Sequence, residues 1–216
     1  MNILEQVIEP LRDVDWNDTE AVHATTQPVL GGLATDRRLL RTSVLAALGD
    51  EELLPLCEHY DILDKIVLFT DPSGIRVRLH VFQSGYFDRP HNHRWTYSSR
   101  ILRGRYLHRL YGDAELDSSL HPGTLDAVQV REEIIGTSYT LSHKAIHAVV
   151  ADPGAVSLVV RGPAVKDRFL VMDAATGDAW WQYGAAQESE EDSRKKKMSR
   201  DRLSEVIDSL VDWKVL

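Results

Sequence analysis

The chain is poor in cysteine and has no long apolar stretch. Its 216 residues include one cysteine, Cys57, which excludes an internal disulfide and a cage of thiolate metal ligands. No apolar run approaches the roughly 20 residues that a bilayer crossing needs. The first eleven residues mix Glu5 and Glu9 into their apolar positions instead of forming a basic and then apolar leader. We therefore expect a cytoplasmic protein with no membrane partner, in which any metal is held by nitrogen and oxygen.

The chain also has fewer basic than acidic residues. The 25 Lys and Arg residues stand against 33 Asp and Glu residues, which gives a formal net charge of −8. Phosphate binding requires a basic face, so a nucleic-acid partner is not expected. Hydrophobic residues make up 43% and charged residues 27%, close to the average of folded globular proteins, which excludes disorder for the bulk of the chain. The length suits one domain with helical additions.

The spacing of apolar residues predicts helices at both ends of the chain. Residues 1–61 form an N-terminal helical segment in which Asp36 caps one helix and Gly49 ends it. Ser199 caps a last helix over residues 199–216, after a charged segment, 185–198, that is a linker or the start of a helix. We expect the terminal helices to pack on the rest of the chain or on a second subunit, which leaves a homodimer open.

Between these helices, residues 62–184 have the pattern of a β domain. Short β-rich runs are separated by glycine and proline turns, and no helical pattern lies between them. The predicted strands are 65–69, 75–82, 95–102, 106–111, 127–135, 146–150, 156–160, 169–172 and 179–182. So many closely spaced strands favour a sandwich or a small barrel.

Three histidines have a pattern typical of metal ligands. His91 and His93 begin a predicted strand, where a spacing of two places both imidazoles on one face. His147 lies on a later apolar strand, eleven residues after Gly136. Three neutral imidazoles suit Fe, Zn, Ni, Mn or Cu, and three protein ligands leave positions open for water, dioxygen or substrate.

These spacings resemble the two sequence motifs of the cupin superfamily. The first motif corresponds to Gly85, His91, His93, Tyr97 and Gly104, and the second to Gly136, Ser142, Lys144, His147 and Ala151. Tyr97 occupies the position of the acidic ligand, and the proline, second glycine and asparagine of the second motif are also replaced. The resemblance implies a mostly β fold, a cupin double-stranded β-helix barrel (jelly roll), with a divalent metal near its mouth. Without the carboxylate the site keeps the full charge of the ion, which favours an anionic substrate group.

The segment after His147 is similar to a strand of the thiol dioxygenases, the cupin group that includes cysteine dioxygenase. That group has a three-histidine iron site, so the resemblance implies Fe(II), with Zn, Ni, Mn or Cu as alternatives. Its strand carries a Ser-x-His-x-Tyr triad, whereas this chain has Ser157, Val159 and Arg161. The serine is retained and the other two members of the triad are absent, so thiol oxidation itself is not predicted.

Other polar residues are candidates for the substrate pocket. Arg161, on the face of Ser157, could hold a carboxylate or phosphate with its planar donors. By the same resemblance, Arg78, His80 and Phe82 look into the barrel, while the aliphatic residues between them meet the N-terminal helices. The alternative, that Arg76 and Arg78 lie on a solvated face, stays open at this point.

Two further residues are candidates for catalysis. Tyr97 is a hydrogen-bond donor behind the metal, a distant ligand or a packing residue, and His108 borders the pocket from the next strand.

Three functions fit these residues. The first is a mononuclear non-haem Fe(II)-dependent oxygenase or dioxygenase that acts on a small polar, carboxylate-bearing, amino-acid-like substrate with dioxygen. The second is a redox-neutral metal-dependent isomerase, lyase or hydrolase. The third is a cupin module that binds a metabolite or a metal without catalysis. The chain favours an enzyme that binds a small molecule, because the N-terminal helices lack the basic face that a DNA-binding regulator would need.

Overall fold

A computed structural model describes residues 3–83, 89–113, 125–173, 176–184 and 187–216. The described chain has helices towards both ends and strands between them. The helices are α1 (Ile3–Ile8), α2 (Thr19–Thr35), α3 (Arg37–Gly49), α4 (Glu190–Lys196) and α5 (Arg200–Asp212), with short 3-10 turns at Glu9–Asp13 and Leu54–Leu56. None of the described helices has the length and apolar character that a membrane crossing requires.

The helix ends follow the capping signals of the sequence. The side chain of Asp36 accepts a hydrogen bond from the backbone N–H of Leu39 at 2.9 Å, and α3 ends at Gly49. Ser199 accepts one from the N–H of Arg202 at 3.0 Å. Within the charged segment, Glu190–Lys196 form the short helix α4, whose first turn is acidic and whose last turn is basic, as the helix dipole favours.

Eleven strands fill the middle of the described chain, and all nine predicted strands are among them. They are β1 (Glu58–His59), β2 (Leu63–Thr70), β3 (Arg76–Phe82), β4 (Tyr97–Arg103), β5 (Arg105–Asp113), β6 (Gln129–Ile134), β7 (Ser138–Leu141), β8 (Ala145–Ala151), β9 (Val156–Arg161), β10 (Arg168–Met172) and β11 (Ala179–Tyr183). The sequence did not predict β1 and β7. Their lengths of two and four residues are too short to show a clear alternation.

The strands form two sheets and a hairpin. The larger sheet has the order β1-β2-β3-β9-β4-β7, the smaller has the order β6-β5-β8, and β10 pairs with β11. The backbone of His91 bridges β8 at His147 and β10 at Val171, which connects the hairpin to the smaller sheet. The expected mostly β fold with helices at both ends is therefore confirmed.

Each face of the larger sheet packs against a different layer. On one face, Val77 and Leu79 of β3 lie in one apolar cluster with Leu30 of α2 and Leu203 of α5. On the other face, Phe82 of β3 packs in a cluster that includes residues of β5 and β8, among them Tyr106. The interior between the two sheets is where the polar candidates lie. Cys57 is fully buried in the helix-facing cluster, as expected of a structural thiol.

Two glycines of the cupin-like motifs adopt a left-handed backbone. Gly104 has φ +72°, and a Cβ there would lie 2.9 Å from the Cα and Cβ of Ala155. Gly136 has φ +88°, and apart from its chain neighbours no atom of the described residues lies within 4 Å of the position of a Cβ. Both positions favour glycine, and only Gly104 also requires it for close packing. Gly85, the first glycine of the resemblance, lies outside the described residues.

Candidate metal centre

His91, His93 and His147 converge as the sequence predicted. One ring nitrogen from each lies within 4.8 Å of those of the other two. The backbones of His91 and His147 exchange both hydrogen bonds at 2.9 Å, which fixes their rings side by side with centroids 4.6 Å apart. His93 follows two residues after His91, and its Nε2 is 2.8 Å from Nε2 of His147. Two segments about 55 residues apart thus form one three-imidazole cluster, which could bind a metal ion.

The protonation state of the cluster fits a metal ligand set. Burial lowers the pKa of His91 to about 4 and those of His93 and His147 well below the usual value, so all three rings are neutral at pH 7. Nδ1 of His91 lies 2.8 Å from the carbonyl oxygen of Arg89. Because a carbonyl can only accept, Nδ1 carries the proton and Nε2 has a free lone pair. Metal–nitrogen bonds are about 2.0–2.1 Å long, so nitrogens 2.8 Å apart, as in His93 and His147, can share one ion.

Tyr97, which occupies the acidic position of the cupin motif, lies against the cluster. Its hydroxyl is 3.2 Å from Nε2 of His147, and its ring centroid is 4.6 Å from that of His93. Burial and the neighbouring Tyr139 raise the pKa of the Tyr97 phenol well above its usual value. Tyr97 therefore keeps its proton and is a neutral hydrogen-bond donor beside the three imidazoles.

His108 lies behind His147, on the side away from the other two imidazoles. Nε2 of His108 is 3.0 Å from Nδ1 of His147, and Nδ1 of His108 is 3.1 Å from Oε1 of Glu133. Sequence reasoning missed Glu133, because alternation puts Glu132 and Glu133 on opposite faces of β6 without showing which face is inward. In the structure Glu132 is exposed, whereas Glu133 is 1% exposed.

The two faces of β3 are oriented as expected. The aliphatic residues face the helices, and Arg78, His80 and Phe82 face the interior. Arg78 is buried, so the alternative of a solvated face is wrong for this residue, while Arg76 is partly exposed. Phe82 packs edge-on against Tyr106 with ring centroids 5.1 Å apart, and it therefore contributes to the core. His80 pairs in register with Ser157 of β9, and burial lowers its pKa well below the usual value.

Three arginines, of which Arg78 and Arg161 are buried and Arg94 is partly exposed, surround Trp95. The guanidinium carbons of Arg161, Arg94 and Arg78 lie 4.3, 5.3 and 5.8 Å from the centre of the Trp95 indole. The centroid of this indole is 6.2 Å from that of the His93 imidazole, so one aromatic side chain separates the cations from the candidate metal ligands. This role of Trp95 was not predictable from the sequence, because the contacts join β3 and β9 to the segment that carries Arg94 and Trp95.

The charge of this group is incompletely balanced. Nη1 of Arg161 donates to the carbonyl oxygens of Gly74 and Gly162. The Nε atoms of Arg161 and Arg78 are buried and have no hydrogen-bond partner among the described residues. Burial and the neighbouring arginines, Arg78 first among them, lower the pKa of Arg161 to about 7. Unpaired buried donors with mutual repulsion are what an anion would stabilise.

Comparisons with known proteins give structural neighbours only. No protein-family model matches the chain, and no curated protein matches it. Among solved structures, it is similar to KdgF from Halomonas sp., with 16% identity and a TM-score of 0.38 over 48% of this chain and 82% of that one. It is also similar to proteins from Shewanella frigidimarina NCIMB 400 (16% identity, TM-score 0.39, over 51% of this chain and 85% of that one) and Desulfovibrio desulfuricans (16%, 0.34, over 47% and 83%). The last two are RmlC-like cupins. Similarities of this strength indicate no activity or substrate for this chain.

Proposed function

We propose that the chain is a mononuclear metalloenzyme of the cupin type, an Fe(II)-dependent oxygenase or dioxygenase. The observation that carries this proposal is the convergence of three neutral imidazoles from His91, His93 and His147, with no carboxylate of the described residues in the cluster. Such a ligand set would hold a divalent ion and leave positions open. The choice of Fe(II) over Zn, Ni, Mn or Cu rests on the sequence resemblance to the thiol dioxygenases. Bound there, Fe(II) would supply the activation of dioxygen that an organic side chain cannot provide.

The substrate that fits the surroundings is small and polar and carries a carboxylate, as amino acids do. Arg78 and Arg161 are each 6% exposed and offer buried donors beside Trp95. A carboxylate bound by these donors would lie one aromatic side chain away from the candidate metal ligands, because the same indole neighbours His93. His80 and Ser157, which are paired in register, are further candidates for contact with the polar part of the substrate.

The role proposed for Tyr97 is to donate a hydrogen bond. Its hydroxyl keeps its proton and is within hydrogen-bond distance of His147 Nε2, so it can orient a substrate atom near the cluster. The same hydroxyl also favours a second candidate function. In a redox-neutral isomerase, lyase or hydrolase, a neutral phenol beside a Lewis-acidic ion would be a suitable proton donor.

Metal analysis combined with dioxygen uptake tests the proposal. Protein purified under anaerobic conditions should contain iron equimolar with the chain, and it should consume dioxygen with at least one member of a panel of amino acids and related carboxylates. Zinc at full occupancy, with no dioxygen uptake for any substrate, would refute the oxygenase and favour the redox-neutral function or the non-catalytic binding module.

Variants of the three histidines test the ligand assignment. His91→Ala, His93→Ala and His147→Ala should each release most of the metal and leave the circular dichroism spectrum unchanged. The matched control is His23→Ala, because His23 is an exposed histidine of α2. A variant that retains metal at the affinity of the unmodified chain would show that its histidine is not a ligand.

A further inference from the structure

Three buried side chains form a hydrogen-bonded series that ends at the candidate metal centre. Glu133 contacts His108, and His108 contacts His147, at 3.1 and 3.0 Å. Their exposures are 1%, 1% and 4%. The members come from three neighbouring strands, β6, β5 and β8, so the pairing of the smaller sheet sets their spacing. Nε of Arg131 also donates to the carboxylate of Glu133.

The carboxylate of Glu133 sets the direction of the first hydrogen bond, and the second follows from it. Burial acts to raise the pKa of Glu133, but the hydrogen bonds from His108 and Arg131 outweigh it and keep the carboxyl ionised. A carboxylate can only accept, so Nδ1 of His108 must donate. If Nδ1 holds the one proton of the His108 ring, its Nε2 has the lone pair and accepts the proton of Nδ1 of His147. This leaves Nε2 of His147 unprotonated.

The other neighbours of His147 agree with this direction. Its Nε2 lies 3.2 Å from the hydroxyl of Tyr97 and 2.8 Å from Nε2 of His93. Tyr97 carries a proton that it can donate, and a neutral His93 can donate from Nε2 in the metal-free protein. When a metal ion is bound, the lone pair of His147 Nε2 is available to it. With Nδ1 protonated and Nε2 unprotonated, the His147 ring donates to His108 and accepts from Tyr97 or His93.

We infer that Glu133 and His108 are positioning residues that hold His147 in the tautomer with protonated Nδ1, and so present its Nε2 as a metal ligand. This inference rests on the metal site of the proposed function. Tyr97 stands where the cupin motif has an acidic ligand, so the three-histidine cluster has no negative charge from that position. The carboxylate of Glu133 supplies negative charge instead, because it polarises His147 through His108. Carboxylates that orient metal-bound histidines generally increase metal affinity in this way.

The alternative is a purely structural role for these residues, in which Glu133 neutralises Arg131 and His108 fills space against Tyr139, with ring centroids 4.7 Å apart. A structural role predicts changes in stability alone. The positioning role predicts changes in the tautomer of His147 and in the metal affinity, even when the variant remains folded.

Nitrogen NMR of the metal-free protein labelled with ¹⁵N-histidine measures the tautomer directly. The ring signals of His147 can be assigned by their loss in His147→Ala. In the unmodified chain we expect protonated Nδ1 and unprotonated Nε2. In His108→Phe, which keeps a ring at that position but removes both nitrogens, we expect a mixture of tautomers. The Nε2-protonated form in the unmodified chain, or an unchanged tautomer in His108→Phe, would overturn the inference.

Competition for Zn²⁺ against a chromophoric chelator measures the affinity. Glu133→Gln keeps the shape and removes the charge, and we expect its Zn²⁺ affinity to fall about 10- to 100-fold. Glu132→Gln, one residue away on the outer face of the same strand, is the matched control and should bind as the unmodified chain does. Circular dichroism checks that each variant is folded. If Glu133→Gln does not fold, His108→Phe tests the positioning role instead, and we expect the same loss of Zn²⁺ affinity.

The two proposals fail in different ways. An unmodified chain that does not bind Zn²⁺ would refute the metal site, while the NMR experiment would still decide the tautomer. If Glu133→Gln, His108→Phe and the unmodified protein all bind Zn²⁺ with the same affinity, the metal site is retained and the positioning role is refuted.

Discussion

The attachment of the C-terminal helix to the sheet is expected to depend on one buried carboxylate. Asp64 of β2 is fully buried and accepts hydrogen bonds from Nδ1 of His59 at 2.6 Å, Nε2 of Gln83 at 2.7 Å and Nη2 of Arg202 at 2.8 Å. Arg202 lies on α5, 138 residues after Asp64. Replacement of this arginine therefore tests a contact that only the tertiary structure creates.

Arg202→Met keeps much of the aliphatic length and removes the charge and the donors. A hydrogen bond to a charged group contributes about 1.5–3 kcal/mol, and removal of one partner of a fully buried ion pair costs about 3–5 kcal/mol. The Arg202 side chain is 26% exposed, and Asp64 keeps two other donors. We therefore expect a value in the lower range, a loss of about 2 kcal/mol in the free energy of unfolding.

Urea denaturation at pH 7 measures this loss. Arg200→Met is the control, because Arg200 is an exposed residue of the same helix, and it should leave the free energy of unfolding unchanged. Asp64→Asn and the double variant complete a cycle that isolates the coupling between the two side chains. Equal stabilities of Arg202→Met and Arg200→Met, or a coupling free energy of zero, would refute the reasoning.

Two further predictions concern acid stability and the motif glycines. Burial acts to raise the pKa of Glu58, but Lys65, Arg78 and Lys196 together hold it well below its usual value of 4.5. Glu58 should therefore stabilise the fold at neutral pH, and this contribution should diminish as the pH falls below 4.5. Glu58→Gln should be less stable than the unmodified chain at pH 7, with the difference narrowing in acid titrations followed by circular dichroism; a difference that widens would contradict the assignment. Gly104→Ala should lower the thermal midpoint much more than Gly136→Ala, because both have positive φ but only the former Cβ would meet Ala155. Equal midpoints would show that the close approach is unimportant.

The β-strand pattern and the spacing of histidines were sufficient to predict much of the fold. Alternating runs bounded by turn residues predicted nine strands, and the caps at Asp36 and Ser199 predicted helix ends, because both signals depend on neighbouring residues. The His-x-His spacing singled out His91 and His93, and the similarity to the cupin motifs added His147. The strand expected to begin at His91 is not observed there: both residues precede β4, which begins at Tyr97, and His91 makes isolated bridges to His147 and Val171. The orientation of β3 needed the structure, since alternation separates two faces without saying which one is covered by helices.

Residues that act through long-range contacts were not predictable in the same way. Alternation places Glu132 and Glu133 on opposite faces of β6, but only the pairing of β6 with β5 shows that Glu133 is the one beside His108. Trp95 likewise joins arginines of three segments that no spacing rule connects.

The sequence by itself determined which residue types were available: three histidines without thiolates, a tyrosine in an acidic position, and strands between terminal helices. These follow from composition and from periodicities that are local in the chain. The tertiary structure alone decided how those residues meet, with Tyr97 and His108 on opposite nitrogens of His147, Arg78 inside the fold and Arg202 on Asp64. The reason is physical, because hydrogen-bond direction, burial and charge balance depend on which distant segments pack together.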